Sequence, residues 1–177
     1  MKVLVLALAV ALALVAAPSA LADKPPKGGL PSNEEIFSGG RFEVTQQQVE
    51  KAQIPARSAD ERIAVAAASA CWEIRYTYRK DGWWGYWQVW HQTYWCGGAP
   101  YVITYRSTQD GASSGGACAV TGGANSWRAS GGVGQWYVDV QTQASFGCFV
   151  GWNNGSPWFN VKYTAGGSYF LQGYGER

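Results

Sequence analysis

The chain has 177 residues, of which 47% are hydrophobic, 15% aromatic and 15% charged, with 14 basic and 12 acidic groups. So low a charged fraction excludes a disordered solvating chain and a charged coiled coil. A net charge of +2 excludes the clustered Lys and Arg of a nucleic-acid binder, and one His with four Cys leaves little for a zinc enzyme; no metal or other cofactor is expected.

Residues 1–22 read as a secretory signal peptide. Lys2 supplies the positive start, Val3 to Ala17 are apolar, and Ala20-Leu21-Ala22 offers a small-residue cleavage site before the polar Asp23-Lys24-Pro25-Pro26. As a helix, 15 apolar residues rise roughly 22 Å, short of the ~30 Å hydrocarbon core. The protein is therefore expected outside the cell. Lys2 is the only charge in this leader, so 13 of the 14 basic groups and all 12 acidic groups remain after cleavage. Near neutrality predicts no strong steering toward either sign of partner.

Residues 23–44 open with Pro and Gly and read as a flexible tail. Residues 45–70 are expected to form short helices, because Thr45-Gln46-Gln47-Gln48 and Ser58-Ala59-Asp60-Glu61 each fit a capping box. Pro55 separates them, and neither is long enough to be stable alone. A docked segment, a pro-region and a partly disordered stalk all remain open.

From Cys71 the texture changes. Residues 71–177 hold all ten Trp, all ten Tyr, all four Cys and 19 of the 23 Gly. Trp72, Ile74, Tyr76 and Tyr78 alternate with Glu73, Arg75, Thr77 and Arg79, the period of a half-buried strand. The same alternation recurs over Tyr137–Phe146 and Trp158–Tyr163, and Tyr101–Tyr105 is a β-branched and aromatic run. Turns are expected at Asp81-Gly82, Gly97-Gly98, Gly131–Gly134 and Asn153-Asn154-Gly155. Asn154 also begins a formal glycosylation acceptor, read first as a turn. The expectation is an all-β domain, a small disulfide-stapled antiparallel sandwich or barrel, preceded by one or two short helices.

In an exported chain an even Cys count predicts disulfides. Cys71 and Cys96 are about equidistant from the Asp81-Gly82 turn, and Cys118 and Cys148 from the Gly131–Gly134 loop. Hairpin geometry therefore favours Cys71–Cys96 and Cys118–Cys148.

Catalytic candidates are few. Gly111-Ala112-Ser113-Ser114-Gly115 matches the hydrolase G-x-S-x-G pattern, but no helix follows and the only His precedes the Ser, so it reads as a Gly/Ser-rich loop. His91 could act as a general base oriented by Glu73, Asp81, Asp110 or Asp139. Glu73 and Asp139 are the two acids on well-defined strands, and no pattern brings them together for a paired-carboxylate site.

The outstanding local feature is aromatic: Trp83, Trp84, Tyr86, Trp87 and Trp90 fall within ten residues. Trp87 and Val89 should point to one face, Gln88, Trp90, Gln92 and Tyr94 to the other, with Trp83 and Trp84 in the turn. Rings of this size cover a small core well. Core packing explains one face easily and the turn poorly; a ligand platform, on which rings stack against sugar faces, is the second reading. An interfacial wedge in a membrane is less favoured without a basic patch. A protein hot spot is a further reading.

The sequence from Cys71-Trp72 through the aromatic hairpin to Trp95-Cys96, behind a signal peptide and an Ala-rich segment, resembles small secreted proteins of actinobacterial type. The resemblance implies a bacterial, extracellular, non-enzymatic protein and assigns no site residues. The expected function is non-catalytic binding of a carbohydrate or cell-wall ligand through Trp83, Trp84, Tyr86, Trp87 and Trp90. A secreted hydrolase using His91 with a carboxylate is the alternative, and a cell-surface or membrane-interacting protein a third.

Overall fold

A computed structural model describes residues 30–98 and 101–177; the expected signal peptide and the first part of the expected tail lie outside the described residues. In chain order the elements are helix α1 (Asn33–Phe37), strand β1 (Arg41–Val49), a 3-10 turn (Lys51–Gln53) and helix α2 (Ala59–Ala67). Eight strands follow: β2 (Ala70–Gly82), β3 (Gly85–Gly98), β4 (Val102–Gly116), β5 (Cys118–Gly131), β6 (Tyr137–Cys148), β7 (Asn153–Gly155), β8 (Trp158–Thr164) and β9 (Tyr169–Gly175). They form two antiparallel sheets. Sheet A has the order β1-β2-β3-β4; sheet B has β5-β6-β8-β9, with β7 added to β6. The fold is a β-sandwich, since each sheet keeps its own edges.

Alternation places the core. Ile74, Tyr76, Tyr78, Trp87, Val89 and Trp95 of sheet A meet Val138, Val140, Phe146, Phe159, Val161 and Tyr163 of sheet B, all buried. Trp95 packs at a tilt against Tyr163 with ring centroids 4.8 Å apart and donates its indole N–H to the Thr164 carbonyl at 2.9 Å. Burial of rings this large dominates the stabilisation, each covering about 150–250 Å². The sheets meet closely at Gly97, where any side chain would collide with the Ala165 carbonyl.

Both disulfides pair as hairpin geometry predicts, Cys71 with Cys96 and Cys118 with Cys148. Each joins residues directly opposite in a strand pair, β2–β3 and β5–β6. The second closes the corner where the chain passes from sheet A to sheet B: Ala117 donates to the Trp84 carbonyl, and Phe149 donates to that of Ala117, both at 2.7 Å.

The N-terminal region departs from expectation. Within the stretch read as a flexible tail, α1 carries a complete Ser32–Glu35 capping box and buries Ile36 and Phe37 against the core. Thr45–Gln48 is not a helix but the middle of β1, paired along its length with β2. A three-residue capping match is a weak preference, whereas pairing with the open edge of β2 satisfies a whole row of amides. Phe42 anchors this strand, packing against Tyr76, Tyr78, Phe159 and Tyr174. The second capping box is present, with Ser58 accepting from the Glu61 amide at 3.1 Å. Val65 of α2 and Ala68, its C-cap, pack with Val49, Ile54 and Tyr105 around the Cys71–Cys96 disulfide. The segment is thus part of the folded domain.

Two loop expectations also change. Gly111–Gly115 lies inside β4, and Asn153–Gly155 is strand β7, the turn having moved to residues 149–152. Among the described residues no helix is long and apolar enough to cross a membrane.

Candidate functional site

The hairpin sorts its five rings into two environments. Trp87 is fully buried, stacks with Phe37, and packs against Tyr78 and Phe146. Trp84, in the two-residue turn, folds back against Gly82 and is 6% exposed. Neither can form part of a ligand platform: Trp84, despite its place in the turn, belongs to the buried core. Trp83 is half-buried against Phe149, centroids 5.8 Å apart. Only Tyr86 and Trp90, also half-buried, lie on the outer face of sheet A.

That outer face has a repeating construction across three strands. The Arg75 guanidinium sits 3.9 Å from the centre of the Trp90 ring, and a side chain at the facing Gly111 would fall inside the indole. Four residues along, the Arg79 guanidinium sits 4.3 Å from the Tyr86 ring centre, and a Cβ at the facing Gly115 would be 2.7 Å from that ring. The glycines of β4 therefore make room for rings from β3, and the arginines of β2 steady them. The intervening polar groups are paired: Arg79 binds Asp81 at 2.6 Å and Gln88 at 2.9 Å, Asp81 also binds Arg41 at 2.6 Å, and Gln92 donates to Glu73 and to the Tyr94 hydroxyl. Hydrogen bonds from Arg79 hold the Asp81 carboxyl below its usual pKa.

The catalytic candidates end in three separate places, the interior and the two outer faces. His91 is wholly buried between the sheets, with Nδ1 2.5 Å from Thr142 Oγ1 and Nε2 against the Tyr163 hydroxyl. Burial, with a smaller push from Arg106, lowers its pKa to about 3, so the ring is neutral at physiological pH. Asp110 is its cross-strand partner on β4 but makes no hydrogen bond to it. Glu73 is on the opposite side of sheet A, bound to Gln47 at 3.0 Å. Asp139 is on the outer side of sheet B, accepting from Ser130 and 3.9 Å from the Lys162 ammonium. Asp81 is tied to its arginines. The expected His91–carboxylate arrangement is therefore not formed: the imidazole is a junction in an interior network, Ser126–Thr142–His91–Tyr163. Ser113 and Ser114 sit on opposite faces of a continuous strand, without the strand-to-helix turn a nucleophile elbow needs.

No family model, curated protein or solved structure matches the chain.

One surface escaped the sequence reading. The outer face of sheet B presents Trp127, Tyr137 and Trp158 around Asp139, Gln141, Asn160 and Lys162. Its signal was present in the alternation of Asp139-Gln141-Gln143 against Val138-Val140-Thr142 and of Trp158-Asn160-Lys162 against Phe159-Val161-Tyr163.

Proposed function

We propose that the protein is an exported, non-catalytic binding domain that holds a polysaccharide along the outer face of sheet A at Tyr86 and Trp90. The observation that carries this reading is the pair of Arg–aromatic–Gly rows. Two part-exposed rings are immobilised in advance, roughly 13 Å apart at the rise of an extended strand, with Gln88 and the exposed guanidinium of Arg75 beside them. Rings already ordered in the free protein lose little entropy on binding. Exposed ring edges offer apolar contact to sugar C–H faces, and amide and guanidinium groups donate to hydroxyls. Arg41, Arg75 and Arg79 are balanced on this face by Glu43, Glu73 and Asp81, which suits a neutral chain. The two disulfides support an oxidising compartment outside the cytoplasm, as the leader sequence and the actinobacterial resemblance imply.

Affinity electrophoresis through gels containing β-glucan, xylan, mannan or solubilised cell-wall glycan tests this. Retardation by one of them, reduced at least tenfold in Trp90→Ala and in Tyr86→Ala with folding retained, is the expected result. Free migration in every gel, or retardation indifferent to both substitutions, rejects it.

A further inference from the structure

Four strands lie at sheet edges, β1 and β4 in sheet A, β5 and β9 in sheet B. An edge presents a row of unpaired amides and carbonyls, and natural sheets blunt it with bulges, short strands, Pro or charges. Three of the four are blunted in the usual ways. β5 shifts register against β6 at three places, β9 has seven residues with a further shift against β8, and β1 carries the exposed Arg41 and Glu43. β4 has 15 residues without Pro or Lys, and its one irregularity, opposite Cys96 and Gly97, lies near its start.

The free groups of β4 can be named. Cys71 and Cys96 are 4.1 Å apart at Cα, the separation of a non-hydrogen-bonded pair, so Cys96 turns its amide and carbonyl toward Tyr105 on β4. Alternation then points the backbone groups of Arg106, Thr108, Asp110, Ala112 and Ser114 outward. Among the described residues no backbone group bonds to them; the β5–β6 loop takes this edge only at Ile103, through Gln135 and Gly134. A cavity of about 160 Å³ separates the stretch at Arg106–Thr108 from Pro55, Arg57 and Glu61.

Two charges stand on the same stretch. Arg106 and Asp110 share one face of β4, opposite Trp95 and His91, and both are half-buried. Neither has an ion-pair partner among the described residues. Arg106 donates to the Thr108 hydroxyl at 2.8 Å; burial, and more weakly the neighbouring Arg128, lower its pKa, so its charge is held at a cost. Inward-facing charges guard an edge against indiscriminate pairing. Here they also select one register. In an antiparallel pair of identical strands with a two-fold axis at Thr108, Arg106 of each copy faces Asp110 of the other. Both belong to the outward set, so these are hydrogen-bonded pairs, with Cα atoms about 5.5 Å apart and side chains within reach. An axis at Asp110 would instead set two carboxylates against each other.

We infer that the protein forms a two-fold dimer by antiparallel pairing of β4 with β4 of a second copy, centred on Thr108 and locked by reciprocal Arg106–Asp110 ion pairs. Chemistry chooses the occupant: unpaired strand amides and carbonyls take another strand, and this charge pattern is complementary to itself. The axis stands normal to the sheet, so the outer faces of both sheets A lie on one side. The dimer needs no polysaccharide and does not depend on binding at Tyr86 and Trp90.

Sedimentation equilibrium of the full chain over a wide range of concentration should show a reversible dimer that weakens with added salt. Asp110→Arg, at a half-buried side chain with no bond to lose, should raise the dissociation constant at least tenfold, since two cations would then face each other. Arg106→Glu should do the same. An equimolar mixture of the two variants should associate again, because each supplies the charge the other lacks. If Arg106→Glu does not fold, hydrogen exchange decides: the Thr108 amide should gain protection with concentration in the parent and not in Asp110→Arg. A monomer at every concentration, a dimer indifferent to Asp110→Arg, or a mixture of folded variants that stays monomeric overturns the inference.

Discussion

Trp87 donates its indole N–H to the backbone carbonyl of Ile36, 2.8 Å away, and so ties the sheet A hairpin to a five-residue helix 51 positions earlier in the chain. A helix this short has no stability of its own. Trp87→Phe should keep most of the burial and orphan the carbonyl, costing about 1–3 kcal/mol. Trp87→Ala should cost about 3–5 kcal/mol through the cavity it leaves. Urea unfolding measures both, and hydrogen exchange should show the α1 amides losing protection in Trp87→Phe. Unchanged protection would mean that Ile36 and Phe37 are held by packing alone.

His91 makes the fold sensitive to acid. Its pKa is about 3 in the folded protein against the usual 6.5, so between these values the unfolded chain takes up a proton that the folded chain does not. Stability is therefore complete above pH 6.5 and falls as pH drops toward 3, by a few kcal/mol at most. His91→Gln, which can still bond to Thr142 and Tyr163, should flatten this slope. Urea midpoints at pH 7 and pH 4 for parent and variant give the comparison. Equal slopes would show that the imidazole is not the titrating group.

The disulfides close loops of 25 and 30 residues and should each contribute about 3–4 kcal/mol by restricting the unfolded chain. Their local consequences should differ. Cys71–Cys96 lies beneath α2, so replacing that pair by Ala should also release the helix. Replacing Cys118 and Cys148 should loosen the corner between the sheets and leave α2 protected. Proteolysis within residues 50–69 separates the two outcomes.

Gly111 and Gly123 offer a contrast. A side chain at Gly111 would occupy the space of the Trp90 indole, while one at Gly123 on β5 meets nothing within 4 Å. Gly111→Val should drive Trp90 off the sheet, with a red-shifted Trp emission and a loss of polysaccharide retardation. Gly123→Val should lie within about 0.5 kcal/mol of the parent and leave emission unchanged.

Much of this architecture is written into local pattern. Alternation over Trp72–Arg79, Tyr137–Phe146 and Trp158–Tyr163 places the strands and their buried faces, because a period of two has few other meanings in a chain this rich in Trp, Tyr and Val. The disulfide pairing follows from hairpin symmetry. β1 was not legible, although Phe42 and Val44 alternate with Arg41, Glu43 and Thr45, because the Gln run beyond them fits a strand and a helix equally.

Composition, alternation and Cys spacing were enough to specify an all-β, doubly stapled domain, since those features depend on neighbours near in sequence or directly opposite in a hairpin. Which rings are covered depended on contacts across the sandwich. Trp87 and Trp90 stand three residues apart in one strand, yet α1 and Phe146 enclose the first while Arg75 and Gly111 hold the second at the surface. His91 became an interior junction only when sheet B set Thr142 and Tyr163 against it. Burial is a property of the partner layer, and the partner layer is chosen by long-range packing.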